Sequence, residues 1–284
     1  MKRLVRVLLP WLERHDAVAA QFGFRLPEPG EDISAETAAY ERQSAARFAR
    51  PPFAAPSRAV EPLPAVIAER GQGLLAALAT ALEGDASRLR AGIVDLTELL
   101  SMQKAVCLDD IEQRVALASA DDWTGLAEIC LPEEGGDATL QGTYDRDGKG
   151  LTITSVNPNL RVTPVQNFLM PGSGVRVIGF QVVFGTAHVH VISYRGRLIL
   201  KDGYHRCYGL LARGITAIPC IIEEARGFSD VQAVGSTLIG AEDLLGSHPP
   251  RLADFHDPEL SMTLEQQNFR KTIRISAEEF VVNV

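Results

Sequence analysis

Residues 197–222 read RLILKDGYHRCYGLLARGITAIPCII, and the fold follows from this stretch. Arg197–Lys201 has the aliphatic, β-branched character of a strand. Asp202-Gly203 marks a turn, with Asp202 suited to cap the helix that follows. Tyr204–Arg213 carries a helical stripe of Cys207, Leu210 and Leu211, and Gly214 suits the left-handed position just past its end, with Ile215 packing back. Gly209 in the helix interior costs about 1 kcal/mol against alanine and implies close approach to another element. Ile218–Ile222 reads as a buried strand, expected beside the first.

Immediately upstream, His188–Tyr194 and Arg197–Lys201 flank Arg195-Gly196, the two-residue loop of a hairpin. That turn sets Tyr194 opposite Arg197, Ile192 opposite Ile199 and His190 opposite Lys201, with His188 beside Gly203. Alternation then gives one apolar face (Val189, Val191, Leu198, Leu200) and one polar, mostly basic face (His188, His190, Arg197, Lys201).

His205 and Arg206 fall in the first helical turn, where the helix dipole disfavours cations. An element that is otherwise self-consistent and breaks one local rule suggests a function for the exception. Free N–H groups at a helix start, a glycine and two cationic side chains together suit a phosphate. The ligand-binding set is therefore Lys201, Asp202, Gly203, Tyr204, His205 and Arg206, with His188 and His190 at the same edge. The competing reading is structural: Arg206 pairs with a carboxylate and His205 is a surface residue.

The run from the strand through Gly203-Tyr204-His205-Arg206 to Gly-Ile-x-x-Ile-Pro resembles the hairpin–GxHR–helix–strand of the ParB/sulfiredoxin superfamily. The resemblance is close over about a tenth of the chain and looser over residues 151–224. It implies nucleotide binding through Gly203, His205 and Arg206, with phosphotransfer or hydrolysis as candidate activities and ATP or CTP with Mg²⁺ as candidate cofactors. The catalytic residues and the nucleotide's identity stay open. Sulfiredoxins have a catalytic cysteine where this chain has Tyr204, so sulfinate repair is not expected. The downstream Asn-x-x-Arg of ParB proteins has no match, since Asn268 and Arg270 have the wrong spacing, and no helix-turn-helix follows the motif. The alternative is a non-catalytic regulatory or interaction module with a degenerate pocket.

His188-x-His190 also resembles half of a metal site, but a zinc site needs three or four converging ligands, and no metal is assigned. The acidic pairs Asp109-Asp110, Asp121-Asp122, Glu133-Glu134 and Glu223-Glu224 read as caps or solvated turns.

Outward from this core, the chain of 284 residues is 46% hydrophobic, enough for one large domain or two small ones. A net charge of −8 argues against broad duplex-DNA binding while allowing a local basic patch. The partner expected is a small anion. The four cysteines sit among apolar neighbours without a CxxC pair, as in a reducing compartment, and no apolar run is long enough for a membrane span; the expectation is a cytoplasmic protein. Residues 1–62 read as an N-terminal helix and a Pro-rich linker that is helical around Ala35–Phe48. Residues 63–132 read as a helical subdomain, and 133–284 as the ParB/sulfiredoxin-like domain. The fold class expected is α+β or α/β, with a helical N-terminal region packed on a C-terminal mixed sheet.

Overall fold

The computed structural model describes residues 2–55, 60–81, 86–109, 111–132, 141–146, 150–155, 160–164, 168–169, 176–177, 180–184, 188–231, 238–267 and 271–276. The fold is α+β. The strands are β1 (Lys2–Val7), β2 (Leu89–Asp95), β3 (Leu100–Ser101), β4 (Ala105–Cys107), β5 (Gln141–Tyr144), β6 (Gly150–Ser155), β7 (Leu160–Pro164), β8 (Phe168–Leu169), β9 (Arg176–Val177), β10 (Phe180–Phe184), β11 (His190–Tyr194), β12 (Arg197–Asp202), β13 (Ala217–Glu224), β14 (Met262–Gln267) and β15 (Lys271–Ser276). The helices are α1 (Arg14–Gln21), α2 (Ser34–Ala49), α3 (Ala65–Ala81), α4 (Ile111–Val115), α5 (Trp123–Cys130), α6 (Tyr204–Ala212), α7 (Phe228–Val231) and α8 (Ala241–Leu245). None of the described helices is long and apolar enough to cross a membrane.

The chain forms two compact units, residues 1–133 with 187–267, and residues 134–186 with 268–284. The first is built on a five-stranded mixed sheet in the order β2-β13-β11-β12-β3. β11 is central, antiparallel to β12 and parallel to β13. Val191, Ile192, Ile199 and Leu200 are fully buried although successive residues point to opposite faces. The sheet is therefore covered on both sides, and each such side chain contributes about 1.5–3 kcal/mol. α5 packs on β13, α3 on β2, and α6 on α4 and the 3₁₀ turn Leu252–His256. The second unit contains the antiparallel sheet β15-β6-β5 and the pairs β7–β10 and β8–β9.

The first unit corrects the expected division of the chain. Residues 2–7 form a strand rather than a helix, between β14 and β4. The run KRLVRV serves either element locally; partners about 100 and 260 positions away decide it, which local propensity does not report. Residues 89–107, expected to be helical, supply β2, β3 and β4, so the N-terminal half shares sheets with the C-terminal half. α2 agrees with the expected helix, and the segment around it is anchored. Arg47 and Arg50 lie over the ring of Trp11, 5.0 and 5.4 Å from its centre, and pair with Asp243 and Asp254.

The hairpin turn is as expected: Arg195 (φ 49°) and Gly196 (φ 70°) both adopt the left-handed conformation of a type I′ turn. Tyr194 faces Arg197 and Ile192 faces Ile199. Beyond that, an irregularity between His190 and Val191 shifts the pairing, and His190 faces Asp202 instead of Lys201. β13 lies beside β11, not β12, because the far edge of β12 is occupied by β3. Arg197 leaves the polar face to cap α8, donating to the carbonyls of Leu244, Leu245 and Gly246 at 2.9–3.2 Å.

Candidate functional site

α6 begins where β12 ends. Its cap is Gly203 (φ 98°), and no side chain caps it. Asp202 is still the last strand residue; its carboxylate accepts the Gly203 N–H at 2.6 Å, one position earlier than an N-cap would act. A Cβ on Gly203 would lie 2.9 Å from Val189 Cγ2 and 3.2 Å from Val189 Cα. Glycine is therefore required here by the positive φ and by Val189, and the space expected to admit a ligand is filled by Val189.

Tyr204 is 2% exposed. Its hydroxyl accepts the N–H of Met102 (2.7 Å) and of Gln103 (3.3 Å) and donates to the Leu200 carbonyl. Burial raises its pKa. The expectation that it contacts ligand is corrected: Tyr204 ties the turn to the strand preceding it and to the end of β3. At the far end, Gly214 N–H donates to Leu211 O and Ile215 N–H to Leu210 O, the two bonds of a Schellman cap. Gly209 meets α4, a Cβ there falling 2.7 Å from Ile111 and 3.0 Å from Val115.

Two charge clusters flank this turn. The first centres on Glu223, near the end of β13. Lys201 Nζ donates to its Oε2 at 3.2 Å and Arg88 Nη2 to its Oε1 at 2.8 Å. His190 Nε2 lies 3.2 Å from the same Oε2, outside hydrogen-bond alignment. His190, with Lys201, holds the Glu223 carboxyl down at about 2. Arg88 also donates to Asp230 at 3.0 Å. Lys201 and His190 are thus engaged internally.

The second cluster surrounds His205. Burial, and then the guanidiniums of Arg114, Arg206 and Arg3, push its pKa down to about 4, leaving the ring neutral. Arg114 is exposed on α4 and Arg3 half-buried on β1. Arg206 Nη1 donates to the Ile129 carbonyl at 3.0 Å, in the last turn of α5. That bond gives Arg206 a structural role as a helix C-terminal partner and accounts for part of its presence at the wrong end of α6. His188 is 4% exposed, its ring centre 5.7 Å from that of His190. Burial, His190 and Arg206 push its pKa down to about 3.

The expected site residues therefore divide. Gly203 and Tyr204 build the turn, Asp202 holds its amide, Lys201 and His190 belong to Glu223, and His205, Arg206 and His188 share the positive side. Sequence reading missed Glu223, Arg88, Arg114 and Arg3. Glu223 alternates with Ile221 along β13, a signal that places it on the face of His190, whereas the three arginines come from distant segments. Asn268 and Arg270 lie outside the described residues. Cys130, Cys207 and Cys220 are buried and free. Burial raises all three thiols, Cys130 to about 12, which makes them poor nucleophiles. Among the described residues no group of three or more His, Cys, Asp or Glu is placed to hold a metal ion. No protein-family model, curated protein or solved structure matches the chain.

Proposed function

We propose that the protein binds a phosphate-bearing ligand, in the manner that the likeness to the ParB/sulfiredoxin superfamily implies, at the first turn of α6. One observation carries this reading: the charged groups found to act on His205 are three guanidiniums, beside a helix start that no side chain caps. A neutral imidazole among arginines gains from an arriving anion, and the Tyr204, His205 and Arg206 amides lie in the first turn, where backbone donors have no helical acceptor. The anion sits against His205 and Arg206, flanked by Arg114 and Arg3, and not over Lys201 and His190. A nucleotide is the ligand class proposed, with Mg²⁺ accompanying a triphosphate. No catalytic carboxylate is assigned, so phosphotransfer or hydrolysis forms no part of the reading.

The second reading, a regulatory or interaction module with a degenerate pocket, is favoured by the Asp202 carboxylate at the same helix start and by the closed Glu223 cluster. Calorimetric titration of the full chain with nucleoside triphosphates, with and without Mg²⁺, and with inorganic phosphate separates the two. Saturable binding supports the first, and no binding at millimolar anion supports the second.

A further inference from the structure

We infer that the 3₁₀ turn Leu252–His256 is a pH-sensitive latch on α6, closed while the His256 ring is neutral and released when that ring takes up a proton. The inference is independent of the anion site proposed above. His256 ends the turn, and its ring stacks on that of Tyr208 in α6, with ring centres 4.2 Å apart and planes 22° from parallel. The same Tyr208 ring meets Phe255, which is fully buried, edge-on at 6.5 Å. His256 Nε2 is buried, and no described group hydrogen-bonds to it. A neutral ring leaves only a weak acceptor bare there. A protonated ring leaves a buried, charged N–H without an acceptor, which is far more costly.

The groups around the ring come from three elements. β1 contributes Arg6. Its Nε donates at 2.9 Å to the Phe255 carbonyl, which belongs to the peptide joining Phe255 to His256, and at 2.9 Å to Ser261 Oγ; its Nη1 donates to Thr263 Oγ1 at 2.8 Å. That guanidinium is therefore held beside the histidine. α6 contributes Tyr208, whose hydroxyl burial keeps protonated. The turn and the loop after it contribute two carboxylates, both engaged elsewhere. Asp254 pairs with Arg50 and accepts the Arg251 N–H, and Asp257 accepts the Glu259 N–H. Burial, and then Arg6, push the His256 pKa down, against a smaller opposing effect of the Tyr208 backbone.

Turning the ring out to water lets it take the proton and gives up the stack. The amides that follow are those of Asp257, Leu260 and Ser261, which bond back to Asp254 and Asp257 at 2.9–3.2 Å. The open ring titrates at its ordinary value of about 6.5 and the closed ring lower, so the open state binds more protons. The latch is fully closed above about pH 6.5, and its opening constant rises by up to about tenfold for each pH unit below that. Asp254 has the opposite sign: burial raises its carboxyl, so the closed turn binds the proton there and acid favours closure. Acid opening therefore belongs to the histidine.

The test is amide hydrogen exchange of the full chain between about pH 7.5 and about pH 5, corrected for the intrinsic pH dependence of exchange. Protection over residues 252–261 is expected to fall by up to about tenfold per pH unit below about pH 6.5, while β11 and β13 keep theirs. His256→Phe keeps a ring on Tyr208 and takes no proton, so its protection should not change with pH. Ring resonances of His256 in wild type, which need no variant, should titrate below the ordinary value. Acid loss confined to residues 252–261 in wild type and absent in His256→Phe supports the inference. The same loss in His256→Phe overturns it. So does full protection in wild type down to about pH 5 while the His256 ring titrates near its ordinary value.

Discussion

The two sides of the Gly203 turn carry similar side chains in different surroundings. On one, Lys201, Arg88 and His190 converge on Glu223, and the positive charge is answered within the fold. On the other, the guanidiniums of Arg114, Arg206 and Arg3 act on His205 through their charge, while Arg3 donates to Gln266 Oε1 and Arg206 to the Ile129 carbonyl. Sequence alone placed Lys201, His190, His205 and Arg206 in one basic pocket. The structure separates them: the Glu223 carboxylate at the end of β13 takes Lys201 and lies against His190, whereas Arg206 donates to the Ile129 carbonyl. A basic residue near a helix start is thus informative only once the carboxylates within reach are known.

Acid should act on the two sides in different ranges. His188 and His205 are held neutral in the fold at pKa values of about 3 and about 4 and ionise freely when unfolded. Below about pH 6.5 the unfolded chain binds more protons, so their contribution to stability is complete above that pH and is lost as pH falls towards about 4. Glu223 contributes fully above its ordinary value and loses its contribution as pH falls from there towards about 2. Urea denaturation should show stability falling by about 5 kcal/mol between neutral pH and about pH 4.5, roughly half from each histidine. His205→Gln should reduce that fall, whereas a flat profile would show that the histidines are not held neutral.

Gly203→Ala tests the turn that both sides share. A left-handed φ with a Cβ pressed on Val189 should cost about 3 kcal/mol in urea denaturation. A variant as stable as wild type would contradict the described turn. Glu223→Ala leaves Lys201 and Arg88 without their shared carboxylate and should cost about 2 kcal/mol, with anion affinity unchanged or slightly raised. A loss of anion binding in that variant, with the fold intact by circular dichroism, would merge the two sides. Arg114 is exposed, so Arg114→Ala should leave stability unchanged and weaken phosphate binding about threefold, close to what a screened surface charge contributes.

The turn itself was legible in the sequence. The hairpin loop at Arg195-Gly196, the Schellman cap at Gly214 and the close approach at Gly209 each follow from the needs of single glycines or of local alternation. The irregularity at His190 was not legible, since pairing read outward from a turn assumes an unbroken ladder. Nor was β1, whose short run KRLVRV becomes a strand through partners far along the chain. The candidate site was half legible. Its α6 residues form one motif, but Arg3, Arg114 and Glu223 arrive through tertiary packing of β1, α4 and β13. The expectation that Asp202 caps the helix failed by one residue, because His190 keeps Asp202 paired within the sheet.

The most direct measurement is a side-by-side calorimetric titration of wild type, Arg206→Ala and Lys201→Ala with inorganic phosphate. A charge-assisted hydrogen bond contributes about 1.5–3 kcal/mol. Arg206→Ala should therefore bind about tenfold to a hundredfold more weakly, with about 1 kcal/mol of stability lost at the Ile129 carbonyl. Lys201→Ala should bind phosphate as wild type does while losing stability at Glu223. Equal weakening in both variants, or weakening in Lys201→Ala alone, would contradict the assignment of the anion to the His205 side.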